Sequence, residues 1–271
     1  MHAWVDGQPQ ATLGLGNRGL AYGDGLFETI KVTGGRPHLL ARHFARLARG
    51  VARLGLPADL ALIERELLAY AQAMGEGVLK LILTRGESPR GYAVAPDAPV
   101  VRILQASPLP AWPASHAERG VRLFECTTRL ALQPALAGLK HLNRLEQVLA
   151  RAEWQGGEFA EGLMRDTDGR IVEGVFSNLF LVSNGSLLTP DLSRCGVCGT
   201  LRDELLAQAP AQGLQAHVAD LTLADLQTAD EVFVCNGVYG IWPVVACGDN
   251  RWPVGGVTRK LQRLTHTLLD S

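Results

Sequence analysis

Apolar and polar positions along this chain switch repeatedly between strand-like runs and helical spacing, and the switches mark its elements. The aromatic and β-branched run Phe27-Glu28-Thr29-Ile30-Lys31-Val32 predicts a strand that turns at Gly34-Gly35. Leu39, Leu40, Phe44, Leu47, Val51 and Leu54 then fall at helical spacing, predicting a helix over 38–54 with one buried face. A second helix is predicted over 59–74, with strands at Gly77–Thr84 and Pro99–Ala106. Ser107-Pro108-Leu109-Pro110-Ala111-Trp112-Pro113 can continue neither a helix nor a ladder. That segment predicts a smaller domain over 1–107, a linker over 108–115 and a larger domain over 116–271.

Beyond the linker the pattern predicts a strand near Val121–Thr127, a helix over Leu142–Gln155 and a hairpin turning at Asp166-Thr167-Asp168-Gly169. Further strands fall at Phe176–Val182, Ser186–Thr189 and Glu231–Cys235, and helices at Thr200–Gln208 and Val257–Leu269. Strands alternating with amphipathic helices indicate an α/β (α+β) protein. The length of 271 residues and 47% apolar content suffice for a sizeable core. A net charge of -1 offers no basic field for nucleic acid, and no apolar run reaches membrane-spanning length. A cytoplasmic protein is expected, since the first residues read as a short strand and turn. Five cysteines, an odd number, argue against a disulfide framework. Cys195-Gly196-Val197-Cys198 lacks partners for a zinc site, and no metal is expected.

Composition changes the picture at one point. Only four of the 26 basic residues are lysines: Lys31, Lys80, Lys140 and Lys260. Arginine keeps its proton at any working pH, whereas a lysine amine can lose one and attack a carbonyl. Lys140 follows Gly138-Leu139 at the mouth of a predicted apolar helix, a setting for a Schiff-base lysine or for a solvated helix-start residue. A Schiff-base lysine implies pyridoxal phosphate, which also needs a phosphate cradle and a carboxylate for its ring nitrogen. Gly196-Val197-Cys198-Gly199-Thr200-Leu201-Arg202 runs from glycines into a helix, where exposed amides form an anion site. Arg46, among Arg42, Arg49 and Arg53, suits a fixed cation or a solvated charge equally well. Glu173, flanked by apolar strands and followed by glycine, is the candidate carboxylate.

Read together and in order, Tyr22-Gly23-Asp24-Gly25-Leu26-Phe27-Glu28-Thr29, His43-Phe44-Ala45-Arg46-Leu47, the Lys140 segment, Glu173 with Ser177-Asn178-Leu179-Phe180, the glycine loop and Glu231–Asn236 resemble the fold-type IV pyridoxal-phosphate family. This family comprises branched-chain aminotransferases, D-amino-acid aminotransferases and aminodeoxychorismate lyases. Gly-Leu-Lys-His-Leu-Asn-Arg-Leu-Glu-Gln-Val and Arg85-Gly86…Arg90-Gly91-Tyr92 look most like the lyase branch, which forms 4-aminobenzoate and pyruvate for folate synthesis.

The resemblance implies two domains with pyridoxal 5'-phosphate in the cleft between them. It implies that Lys140 forms the Schiff base and that Glu173 pairs with the ring nitrogen. Arg46, the amides of Thr200 and Leu201, and the Asn236-Gly237 turn would hold the phosphate, with Ser177 and Asn178 also on the cofactor side. Tyr22, Arg90 and Tyr92 would line the substrate side. Thr29 discriminates within the family, because aminotransferases commonly carry glycine there and a lyase threonine assists the lysine. A homodimer and a functional link to an aminodeoxychorismate synthase are implied as well. An aminotransferase of the same fold is the alternative activity, and a non-catalytic pyridoxal-phosphate carrier the remote one.

Overall fold

The structure is a computed structural model describing residues 3–88, 91–94 and 98–270. The chain divides into two compact units, Met1–Pro110 with Leu139–Asn143, and Ala111–Gly138 with Arg144–Ser271. The short return of 139–143 to the first unit differs from the sequence expectation, which placed the whole of 116–271 in one domain.

In the first unit, β1 (Trp4–Val5), β2 (Gln8–Pro9), α1 (Arg18–Tyr22), β3 (Gly25–Thr33), β4 (Arg36–Pro37), α2 (Leu40–Leu54), α3 (Leu60–Met74), β5 (Gly77–Thr84) and β6 (Val101–Ser107) follow in order. The strands form one antiparallel sheet in the order β2-β1-β6-β5-β3-β4. Along β3 every second residue is buried, so Leu26, Glu28, Ile30 and Val32 share one face and Phe27, Thr29 and Lys31 the other. The first face packs with Leu47 of α2 and Ile63, Leu67 and Tyr70 of α3 in a single core. Gly50 sits inside α2 despite costing about 1 kcal/mol of helix propensity there. A Cβ at Gly50 would stand 2.7 Å from a Leu26 methyl, so its absence seats the helix on the strand. The predicted start of this helix at 38 shifts to Leu40, because Leu39 takes a left-handed conformation (φ 51°) and the His38 amide bonds back to Lys31.

The second unit contains α4 (Ser115–Arg119), β7 (Val121–Leu130), α5 (Leu145–Ala152), β8 (Glu161–Asp166), β9 (Ile171–Gly174), β10 (Asn178–Ser183), β11 (Ser186–Pro190), α6 (Thr200–Gln208), β12 (Ala216–Ala219), α7 (Leu223–Thr228), β13 (Glu231–Asn236), β14 (Gly240–Cys247), β15 (Asn250–Arg251) and α8 (Gly256–Asp270). Its mixed sheet runs β12-β11-β10-β13-β14-β7-β8-β9, with β15 added to β14. β10 and β13 are buried along nearly their whole length, as the apolar runs at 178–182 and 231–235 require. Trp112, inside the predicted linker, packs edge-on against Trp242 and so belongs to this core. The helix predicted from Leu142 begins only at Leu145. Residues before it are drawn into strand pairing, since Leu142 N–H donates to the Gly25 carbonyl at 3.0 Å and Phe27 N–H to the Lys140 carbonyl at 2.9 Å. Lys140 is therefore carried by an extended segment and not by a helix mouth.

Candidate active site

Within the first unit the backbone of Lys140 is bonded to β3, and its Nζ lies 4.3 Å from the centre of the Phe27 ring. Phe27 and Thr29 emerge on the same face of β3, so the register places the Thr29 hydroxyl on the strand face that Lys140 covers. Lys140 is half-buried, which leaves its amine reachable while removing part of its water.

The opposite face of β3 carries a group that sequence reasoning left without a role. Glu28 is buried and accepts from Arg46 Nε at 2.9 Å and from Arg46 Nη2, while His43 Nδ1 lies 2.6 Å from its other contact at Oε2. His43, in the sequence only part of a family motif, faces this carboxylate. The available signal was periodicity: Glu28 occupies an apolar-face position of an otherwise regular strand, and His43 and Arg46 are three apart on one helix face.

Tyr22 and Tyr92 come together, with ring centres 5.4 Å apart and Gly91 N–H donating to the Tyr22 hydroxyl at 3.3 Å. Arg18 secures the same stretch by donating to the carbonyls of Gly91, Tyr92 and Ala93 at 3.1–3.3 Å. Asp24 accepts from both Arg18 and Arg85, at 2.8 and 2.9 Å. Burial alone would raise the Asp24 carboxyl, and the two guanidiniums beside it bring it below its ordinary value. Arg90 lies outside the described residues.

In the second unit Glu173 is buried on β9 and accepts the Val197 amide at 2.8 Å. A carboxylate held by the glycine loop in this way stays oriented. The loop turns at Gly196 (φ 83°), where a Cβ would lie 2.8 Å from Val172 and Leu192 and 3.3 Å from Glu173 Oε2. Gly196→Ala is expected to cost at least about 2 kcal/mol through left-handed strain and crowding of Glu173, measured by urea unfolding. Cys195 and Cys198 on the same loop are thiols. Among the described residues no group of His, Cys, Asp or Glu could hold a metal ion.

α6 opens at Gly199, and no side chain caps it, so the amides of Thr200 and Leu201 present an uncapped helix start. A Cβ at Gly199 would collide with Asn178 Oδ1, so only glycine lets the loop pass this close. Asn178 also donates to the Val197 carbonyl at 2.9 Å, and Ser177 Oγ to Glu161 Oε2 at 2.7 Å. Both side chains thus secure the loops around Glu173. The Asn236 carboxamide is engaged within the protein, accepting from Val238 and Tyr239 in its own turn and donating to the Phe176 carbonyl. This narrows the expected phosphate role of that turn to the Gly237 backbone. Glu161 is a second residue that the sequence did not disclose, a fully buried carboxylate that gathers the 174–177 turn. That turn also explains why the strand predicted from Phe176 starts at Asn178.

Taken unit by unit, these residues suit pyridoxal phosphate. The first supplies an amine and a fixed guanidinium, the second an oriented carboxylate and an uncapped helix start whose amides call for an anion.

Comparison with known proteins agrees. The chain is 38% identical over 266 residues to an aminodeoxychorismate lyase of Vibrio harveyi, covering 96% of this chain and 97% of that protein. A crystal structure of 4-amino-4-deoxychorismate lyase from Pseudomonas aeruginosa matches with TM-score 0.98 and 58% identity, over 99% of this chain and 100% of that one. The branched-chain amino acid aminotransferase of Escherichia coli shares the fold, with TM-score 0.85 and 22% identity over 99% of this chain and 94% of that one. A model of class IV amino-transferases matches residues 25–247, most of the length, and the chain belongs to that family.

Proposed function

We propose that the chain is a pyridoxal-phosphate-dependent lyase that converts 4-amino-4-deoxychorismate to 4-aminobenzoate and pyruvate. The observation that carries this reading is the hold of Lys140 on β3, on the face that presents Thr29. The 58% identical lyase of known structure supports it. Lys140 would hold the cofactor covalently, Glu173 would keep its ring nitrogen protonated, and Arg46 with the amides of Thr200 and Leu201 would hold its phosphate. When bound, this cofactor stabilises negative charge at the carbon bearing the substrate amine.

Lys140 Nζ, once released from the cofactor, takes the proton from that ring carbon. The Thr29 hydroxyl supports the amine by hydrogen bonding from the same strand face. The neighbouring C–O bond then breaks, and the enolpyruvyl group leaves as enolpyruvate, which takes up one proton and becomes pyruvate. The ring becomes aromatic, which makes the step strongly downhill. Tyr22 and Tyr92 line the approach for the substrate ring. Substrate would come from an aminodeoxychorismate synthase. We also take the working form to be a homodimer, a reading supported by Leu145, Val148 and Leu149, which are 54–68% exposed along one face of α5. Among the described residues no helix is long and apolar enough to cross a membrane.

The test is 4-aminobenzoate formation from enzymatically generated substrate by the purified, cofactor-loaded chain. Thr29→Gly should lower that rate about 10²-fold with the cofactor still bound. Absence of product from the loaded wild-type chain, with turnover of D- or branched-chain amino acids, would replace the lyase reading by an aminotransferase.

A further inference from the structure

The Glu28–His43–Arg46 cluster has no part in the proton transfer assigned above, yet it places three ionisable side chains in the core of the first unit. Their exposures are 1%, 1% and 6%. Burying an ion pair in this manner seldom adds stability over apolar side chains of the same volume, because the desolvation cost consumes the attraction. A role other than stability is therefore indicated, and the geometry shows what the cluster does.

Arg46 engages Glu28 with two nitrogens, Nε on Oε1 at 2.9 Å and Nη2 on Oε2. A bidentate pair of this kind fixes the plane and the rotation of a guanidinium, which a single hydrogen bond does not. Glu28 is itself immobile, being in the middle of β3 with its neighbours paired to β5. His43 Nδ1 at 2.6 Å from Oε2 removes its remaining freedom. Burial pushes the Glu28 carboxyl up, but Arg46 and His43 outweigh it and hold the group down at about 2, so it stays ionised. Burial lowers His43, and the nearby charges of Arg46 and Lys140 lower it further, against the pull of Glu28. With Glu28 ionised, His43 Nδ1–H donates to it.

We propose that Glu28 is a positioning residue for phosphate recognition: it presets the Arg46 guanidinium, so that the phosphate group of the cofactor meets a fixed cation. The inference rests on the reading that Arg46 holds the phosphate of pyridoxal phosphate. A preset cation binds without losing side-chain freedom at the moment of binding. Arg46 with a released Glu28 contact would keep its charge and lose this advantage.

The experiment compares dissociation constants for pyridoxal phosphate and for pyridoxal, which lacks the phosphate, on the cofactor-stripped full chain. The ratio of the two constants isolates the phosphate contribution from general damage to the site. Arg46→Gln should collapse the ratio. Glu28→Gln should reduce it about tenfold or more while leaving pyridoxal affinity near that of the wild type. Glu28→Asp keeps the charge but retracts it by one methylene, so its ratio should fall between those of the wild type and Glu28→Gln, and it serves if the Gln variant does not fold. The ³¹P resonance of the bound phosphate should shift in the Glu28 variants as well. If the Glu28 variants keep the wild-type ratio while Arg46→Gln loses it, the positioning role is wrong and the Arg46 reading stands. Equal weakening of both ligands by Glu28→Gln makes Glu28 merely structural and also overturns the proposal. An unchanged ratio in Arg46→Gln removes the phosphate reading of Arg46, and the proposal with it.

Discussion

Lys140→Ala is expected to cut 4-aminobenzoate formation by about 10³-fold or more, because in the proposed function the same amine anchors the cofactor and moves the proton. The fold should survive the change. The bonds that tie this segment to β3 come from the Lys140 backbone carbonyl and the Leu142 amide, both of which alanine at 140 retains. The side chain itself is half-buried and contributes its contact with the Phe27 ring, worth roughly 0.5–1 kcal/mol at a partly exposed site. Lys140→Arg separates charge from chemistry. It keeps a cation able to sit over Phe27 but cannot surrender a proton at working pH, so it should be as inactive as the alanine variant. Turnover, thermal melting and the visible absorbance of the lysine-bound cofactor are the three readouts. Substantial turnover by either variant would remove Lys140 from the mechanism.

Glu161→Ala should be the most destabilising single change in the second unit, by about 3–5 kcal/mol in urea unfolding. Glu161 has no exposure and accepts from the amides of Gly162, Val175 and Phe176 at 2.8–3.3 Å and from Ser177 Oγ at 2.7 Å. Truncation leaves these donors buried without an acceptor and loosens the turn between Glu173 and Asn178. The pH dependence has a defined sign. Burial raises the carboxyl from 4.5 to about 7, with the hydroxyl and amide donors only partly opposing it. The folded chain then binds more protons than the unfolded chain between these values, so this group's contribution to stability declines as pH rises from 4.5 to about 7. The loss over that window is roughly 3 kcal/mol. Glu161→Gln cannot titrate and should flatten that part of the profile, although its amide N–H₂ faces donors and costs stability of its own. A profile identical in wild type and Glu161→Gln would show that Glu161 is not the titrating group.

Which parts of this protein were legible in its sequence follows from the range of the forces involved. The spacing of Leu40, Phe44, Leu47, Val51 and Leu54 marked α2, and the Asp166–Gly169 turn marked the β8–β9 hairpin, because periodicity and turn chemistry act within a few residues. Lys140 stood out because lysine is scarce here and only lysine offers a removable proton on a reactive amine. Leu142–Arg144 continues an acceptable helical pattern locally, yet pairing of residues 140–142 with β3, more than a hundred positions away in the chain, overrode that preference. Asn236 looked available for a ligand until its own turn claimed the carboxamide.

The buried carboxylates needed the tertiary structure most of all. Glu28 meets His43 and Arg46 across 15 and 18 residues, and Glu161 meets Ser177 across 16, through packing of elements that no local window contains. A charge is tolerated in a core only where partners happen to converge on it, and convergence is a property of the folded chain. Local sequence thus determined the elements and the chemically able residues, and tertiary packing decided which charges are buried, fixed and kept ionised.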